Sequence, residues 1–97
     1  MANGTLTQTV AAVANTASLV VGRNDTRNYL CIQNVGANDI NIGFDPNAKP
    51  TAGNGTTLSP GGLGKQGGFF IWEKNYIPTN PIYAISAAGS TIVVLEG

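Results

Sequence analysis

The side chains able to do acid–base or metal chemistry are few in this sequence, and they stand apart. Histidine, the commonest general base and metal ligand, is absent. The acids Asp25, Asp39, Asp45, Glu73 and Glu96 occur singly. A carboxylate pair working on a glycosidic bond needs two of them roughly 5–10 Å apart across a cleft. Asp39 and Asp45 bracket one apolar segment and, at strand rise, lie about 20 Å apart. A calcium loop needs several oxygen ligands in one short stretch, and Asp45-Pro46-Asn47 is the nearest approach to one. Glycines 61, 62, 64, 67 and 68 are dense enough to suggest a phosphate cradle. Such a loop, however, needs Gly-Lys-Ser/Thr opening a helix, and Gly64-Lys65-Gln66 runs into the apolar Phe69-Phe70-Ile71-Trp72. Cys31, the lone cysteine, sits within Tyr29-Leu30-Cys31-Ile32 and reads as a small core filler. No catalytic residue, metal site or cofactor is expected, and the chain is not expected to be an enzyme.

What remains is a chemistry of contact. Phe69, Phe70 and Trp72 share one short run, so part of that set must leave the core of a one-sided sheet. Trp and Tyr are enriched where proteins meet, which makes Trp72 and Tyr76 interface candidates; the same rings could stack on a sugar, as could Tyr83. Arg23 and Arg27 flank Asn24-Asp25-Thr26 and could clamp a partner's carboxylate, the alternative being a solvated hairpin end. The candidate interface set is therefore Arg23, Arg27, Phe69, Trp72 and Tyr76.

The elements that must position these residues recur about every ten residues, bounded by Gly, Pro, Asn or Asp. That rhythm marks an all-β sandwich or barrel. Strands are expected over 5–13, 17–21, 28–35, 39–44, 69–72, 81–86 and 91–95. Residues 28–35 put Tyr29, Cys31 and Val35 on one side and Leu30 and Ile32 on the other. Ile40, Ile42 and Phe44 face away from Asn41 and Gly43. The run 69–72 is consistent with burial on both faces. Short connections at 35–39 and 87–90 suit hairpins, Asn54-Gly55 is a two-residue turn signal, and Ser59-Pro60-Gly61-Gly62 fits a type II turn. Residues 45–55 and 63–68 form longer loops open to contacts. No segment holds a 3.6-residue period. The expected fold is a single small antiparallel β-sandwich, jelly-roll or Ig-like, of about 7–8 short strands with essentially no helix.

Size and composition agree with a binding role. A chain of 97 residues buries only about 60–65% of its unfolded surface, and one cysteine offers no intrachain disulfide. Charged residues make up 10% of the chain, against about 25% in an ordinary soluble domain. Five basic residues balance five acidic ones, leaving no electrostatic footprint for nucleic acid or an anionic membrane. Polarity is carried by 11 Asn, 10 Thr and 13 Gly, which suits a surface that ends up in contacts. No stretch is long enough to span a bilayer. Arg23 is the first charged residue, so a signal peptide is not expected. The Asn-x-Thr sequons at Asn3, Asn24 and Asn54 are expected by chance in so Asn- and Thr-rich a chain.

Over residues 23–97 the strand pattern resembles small bacteriophage virion proteins. The resemblance is carried by residues 27–36 (RNYLCIQNVG), by Ile40-Asn41-Ile42-Gly43-Phe44, and by Leu58-Ser59-Pro60-Gly61-Gly62. It continues in Ile82-Tyr83-Ala84-Ile85-Ser86 and in residues 88–96 (AGSTIVVLE). It implies a β-sandwich of the capsid decoration (cement) type, or of the head-fibre or tail-associated type. It further implies a homo-oligomer, a trimer being favoured, located on the capsid surface and bound to the major capsid protein. The alternative is a receptor- or glycan-binding module of a head fibre or tail. Residues 1–22 lie outside the matching region, as N-terminal strands or as an arm that pairs with a neighbour; residues 23–97 form the sandwich.

Overall fold

The computed structural model describes residues 5–53, 56–61, 67–73 and 76–97. Its strands are β1 (Thr7–Val13), β2 (Ser18–Val21), β3 (Tyr29–Asn34), β4 (Ile40–Gly43), β5 (Thr56–Leu58), β6 (Phe69–Glu73), β7 (Ile82–Ile85) and β8 (Ser90–Glu96). They form two four-stranded sheets, A in the order β1-β8-β3-β6 and B in the order β2-β7-β4-β5. All pairings are antiparallel, and no helix occurs among the described residues. The fold is thus the all-β sandwich expected, and this strand order is that of a jelly roll rather than an immunoglobulin sandwich.

Alternation explains how the layers close. Leu30 and Ile32 of β3 and Ile92 and Val94 of β8 point inward from sheet A and are fully buried. They meet Ile40, Leu58, Ile82 and Ala84 of sheet B, equally buried, in one core with Val13, Val21 and Ile42. Small β-branched and aliphatic side chains in such rows fill the roughly 10 Å between two sheets.

Three expectations are corrected. The connections expected as hairpins at 35–39 and 87–90 are not hairpins: each leaves one sheet and enters the other, since β3 and β8 belong to sheet A and β4 and β7 to sheet B. A short connection spans the inter-sheet gap as readily as it reverses a strand beside its neighbour. Of strands consecutive in sequence, only β4 and β5 pair, across the long 45–55 loop. Secondly, β6 is not buried on both faces. It is an edge strand, and Phe69, Phe70 and Ile71 are 46%, 39% and 48% exposed. Thirdly, β5 is an eighth strand that the sequence pattern did not single out. As for the N-terminal region, β1 pairs with β8 through all seven of its residues and β2 pairs with β7, so both are strands of the sandwich. The Asn54-Gly55 turn and most of the 63–68 loop lie outside the described residues, as does Gly62 of the proposed type II turn.

Asparagine fastens the corners. Asn34, fully buried, donates from Nδ2 to the carbonyls of Asn38 (2.7 Å) and Leu58 (3.0 Å), while its Oδ1 accepts from Gly36 N–H (3.0 Å) and Ser90 Oγ (2.8 Å). Four hydrogen bonds from one amide tie the β3–β4 corner to β5 and β8. Gly67 comes back so close beneath this corner that a Cβ there would collide with the Asn34 carbonyl. Asn38 Nδ2 reaches Gly89 O at 2.7 Å, and Ser86 Oγ reaches Asp39 O at 2.7 Å, joining the two sheet-crossing connections.

Candidate interaction surface

The outward rows of sheet A follow from the register. One row runs Gln8, Leu95, Cys31, Ile71; the next runs Val10, Val93, Gln33, Phe69. Tyr29 and Glu73 pair at one end, and Ala12 and Thr91 at the other. Among these residues Glu73 is the only one that carries a charge at neutral pH. Val10 is 57% exposed, and Phe69 and Ile71 are open to a similar degree. The result is a four-stranded face that is nearly uncharged and largely apolar, with Gln8, Gln33, Tyr29 and Thr91 set among its aliphatic and aromatic side chains.

Sheet B is different, because its outer face is covered in part by the chain's own loop, with Leu19 of β2 left 55% exposed. The loop after β4 folds back so that Gly53 N–H donates to Asn41 Oδ1 at 2.8 Å, and Asn41 Nδ2 donates to Thr57 Oγ1 at 2.8 Å. A Cβ on Gly43 would lie 2.9 Å from Pro50 Cδ, so glycine there lets the loop seat on the sheet. Lys49 Nζ stands 5.6 Å from the centre of the Tyr83 ring, a cation–π approach. Asn41 and Ile85 are buried on this outward side.

The candidate residues separate accordingly. Phe69 lies on the open face of sheet A, and Tyr76 is 75% exposed. Trp72 points the other way: opposite Leu30 in register, it packs on the core with its ring edge-on to Phe44 (5.8 Å) and stacked with Phe70 (5.7 Å). Arg23 pairs with Asp25 at 2.8 Å in solvent. Arg27 is buried, not offered to a partner. Its Nη2 lies 2.7 Å from Glu96 Oε2 and its Nε donates to the same oxygen at 2.8 Å. Its Nη1 donates to the carbonyls of Pro78 (2.7 Å) and Asn80 (3.1 Å). The guanidinium therefore clamps the end of β8 to the 78–80 loop, a role that spacing along the chain does not reveal. Between the two arginines Asn24 Oδ1 accepts from Thr26 N–H and Oγ1, an Asx turn. Val10, Ile71, Val93 and Leu95 are the face residues that the candidate set missed. For Ile71, Val93 and Leu95 the signal is present, because 69–72 and 92–95 are apolar on both sides of a strand; the looser, Thr-rich alternation around Val10 gives none.

Of the remaining acids Asp45 has a structural task, and the thiol is partly withdrawn from solvent. Asp45 Oδ1 accepts from Asn47 N–H at 2.9 Å and so caps its own turn. Among the described residues no three His, Cys, Asp or Glu side chains gather where they could hold a metal. Burial pushes the Cys31 thiol above its ordinary pKa, partly offset by a hydrogen bond with Tyr29. Every buried side-chain nitrogen and oxygen among the described residues has a hydrogen-bond partner. No protein-family model, curated protein or solved structure matches the chain.

Proposed function

We propose that this chain is a non-catalytic structural protein of a bacteriophage virion, a decoration protein that docks on the outer surface of the major capsid shell and stabilises it. The observation that carries the docking role is the outer face of sheet A, nearly uncharged, largely apolar and exposed at Val10, Phe69 and Ile71, while the opposite face of the sandwich is partly covered by its own loop. Contiguous exposed apolar surface of this kind marks contact with other proteins. The capsid as partner rests on the resemblance of the strand pattern. The glycan-binding alternative is less well supported. Trp72 is turned into the core and Tyr83 lies beneath Lys49, which leaves Tyr76 as the open ring of the three stacking candidates.

The test is quantitative mass spectrometry of purified particles of the phage that carries this chain, followed by heating of particles with and without it. Copies in the hundreds per particle, with shells that open at lower temperature when the chain is missing, support decoration. A handful of copies places the chain on a fibre or tail, and absence from particles removes the virion role.

A further inference from the structure

The four edges of the sandwich are not equally protected. Sheets avoid edge-to-edge association through short edge strands, charges, prolines and bulges. β5 has three residues. β2 has four and an irregular register between Leu19 and Val21. β6 ends on Glu73. β1 has none of these devices. It is seven residues long, reads Thr-Gln-Thr-Val-Ala-Ala-Val, carries no charge or proline, and pairs with β8 without a register shift. Among the described residues no strand lies on its other side.

We infer that the free edge of β1 pairs antiparallel with β1 of a second copy of this chain, about a two-fold axis at Val10. That register sets Val10 against Val10, Thr9 against Ala11, Gln8 against Ala12 and Thr7 against Val13. Every pair joins small or β-branched side chains or a neutral amide, and an uncharged strand meets its own copy without like-charge repulsion. An isologous pair closes on itself, whereas joining unlike edges of sheet A head to tail closes only if the rotation allows it. The pair continues sheet A across eight strands and places two apolar outer faces side by side. One strand pair buries less than the roughly 1,200–2,000 Å² of a stable interface. The dimer is therefore weak in dilute solution and is favoured where copies are held close together. It is a two-fold arrangement in place of the trimer that the resemblance implies, and it stands or falls independently of the virion role.

Sedimentation velocity on the purified full chain from about 5 µM to 1 mM reads the association directly. The expected result is a monomer–dimer equilibrium, with amide exchange across 7–13 slowing as concentration rises. Val10→Lys sets two ammonium groups face to face at the axis and weakens the dimer about tenfold; Val10→Glu acts likewise. An equimolar mixture of the two variants restores association. Val10 is largely exposed, so both variants keep the melting temperature of the parent. A monomer throughout this range, a trimer, or a dimer indifferent to both substitutions overturns the pairing. So does failure of the mixture to recover.

Discussion

Arg27 sits within 2.7–3.1 Å of a carboxylate and two carbonyls that belong to separate parts of the chain, and its side chain is wholly out of solvent. Removing one member of a buried pair leaves the other uncompensated, at about 3–5 kcal/mol. Glu96 keeps a side-chain exposure of 15%, so Arg27→Ala is expected to cost about 3 kcal/mol, measured as a shift in the urea midpoint. Arg27→Lys recovers only part of this, because an ammonium lacks the planar fork that serves the Glu96 carboxylate and the carbonyls of Gly22, Pro78 and Asn80 at once. Arg23→Ala leaves the midpoint unchanged, since that pair is solvated. From sequence the two arginines looked alike, flanking one turn; only the path of β8 past Arg27 separates them. The ionisable pair on the open face gives a pH dependence. Burial is the first cause raising both Tyr29 and Cys31; the charges of Cys31 and Glu73 raise Tyr29 further. A group whose pKa rises on folding favours the folded state while protonated. That contribution is complete below the unfolded value, about 8.5 for the thiol, and is lost as pH climbs through the folded one. The urea midpoint should thus fall above roughly pH 9, and Cys31→Ala should flatten the fall. A midpoint that rises over that range would contradict the environment assigned to the pair.

At the scale of elements, alternation told which residues face inward but not which strands are neighbours. Leu30 and Ile32, or Ile40 and Ile42, declare a buried side by their spacing alone. The corners at 35–39 and 86–89 have the composition of hairpin turns, and turn chemistry does not record whether the next strand stays in the sheet. What decides is the inner core, which needs Ile40 and Ile82 opposite Leu30 and Ile92. β5 was missed because three residues are too few to show a period. Asn34 shows how a polar residue at an inward position is read wrongly from composition: asparagine suggested surface, yet this side chain is fully buried and satisfied. Asn34→Ala strands two carbonyls, an N–H and a hydroxyl in the interior and is expected to cost about 3 kcal/mol. Gly67→Ala should cost comparably, because its Cβ would have to displace the Asn34 backbone carbonyl. Thermal unfolding of each variant checks both, and a double variant less costly than the sum would report their shared corner.

For the whole molecule, two sheets of equal strand number end up with unequal outer faces. Sheet B is partly roofed by the 45–53 segment through Gly53, Pro50 and Lys49; sheet A keeps Val10, Phe69 and Ile71 exposed on a largely apolar outer face. The low charge and missing histidine carry the expectation of contact in place of catalysis, but not the face that the proposed contact uses. That asymmetry comes from where a long loop folds back, which sequence spacing does not encode. The account therefore rests on the outer face of sheet A being the docking surface. Its most direct test is binding of two folded variants to capsid shells lacking the chain, scored as copies retained per particle. Phe69→Lys/Ile71→Lys charges the open face, and Leu19→Lys charges the exposed edge of sheet B. The account predicts that the first loses binding at unchanged melting temperature while the second binds like the parent. Retained binding by the sheet A variant, with loss by Leu19→Lys, would contradict it.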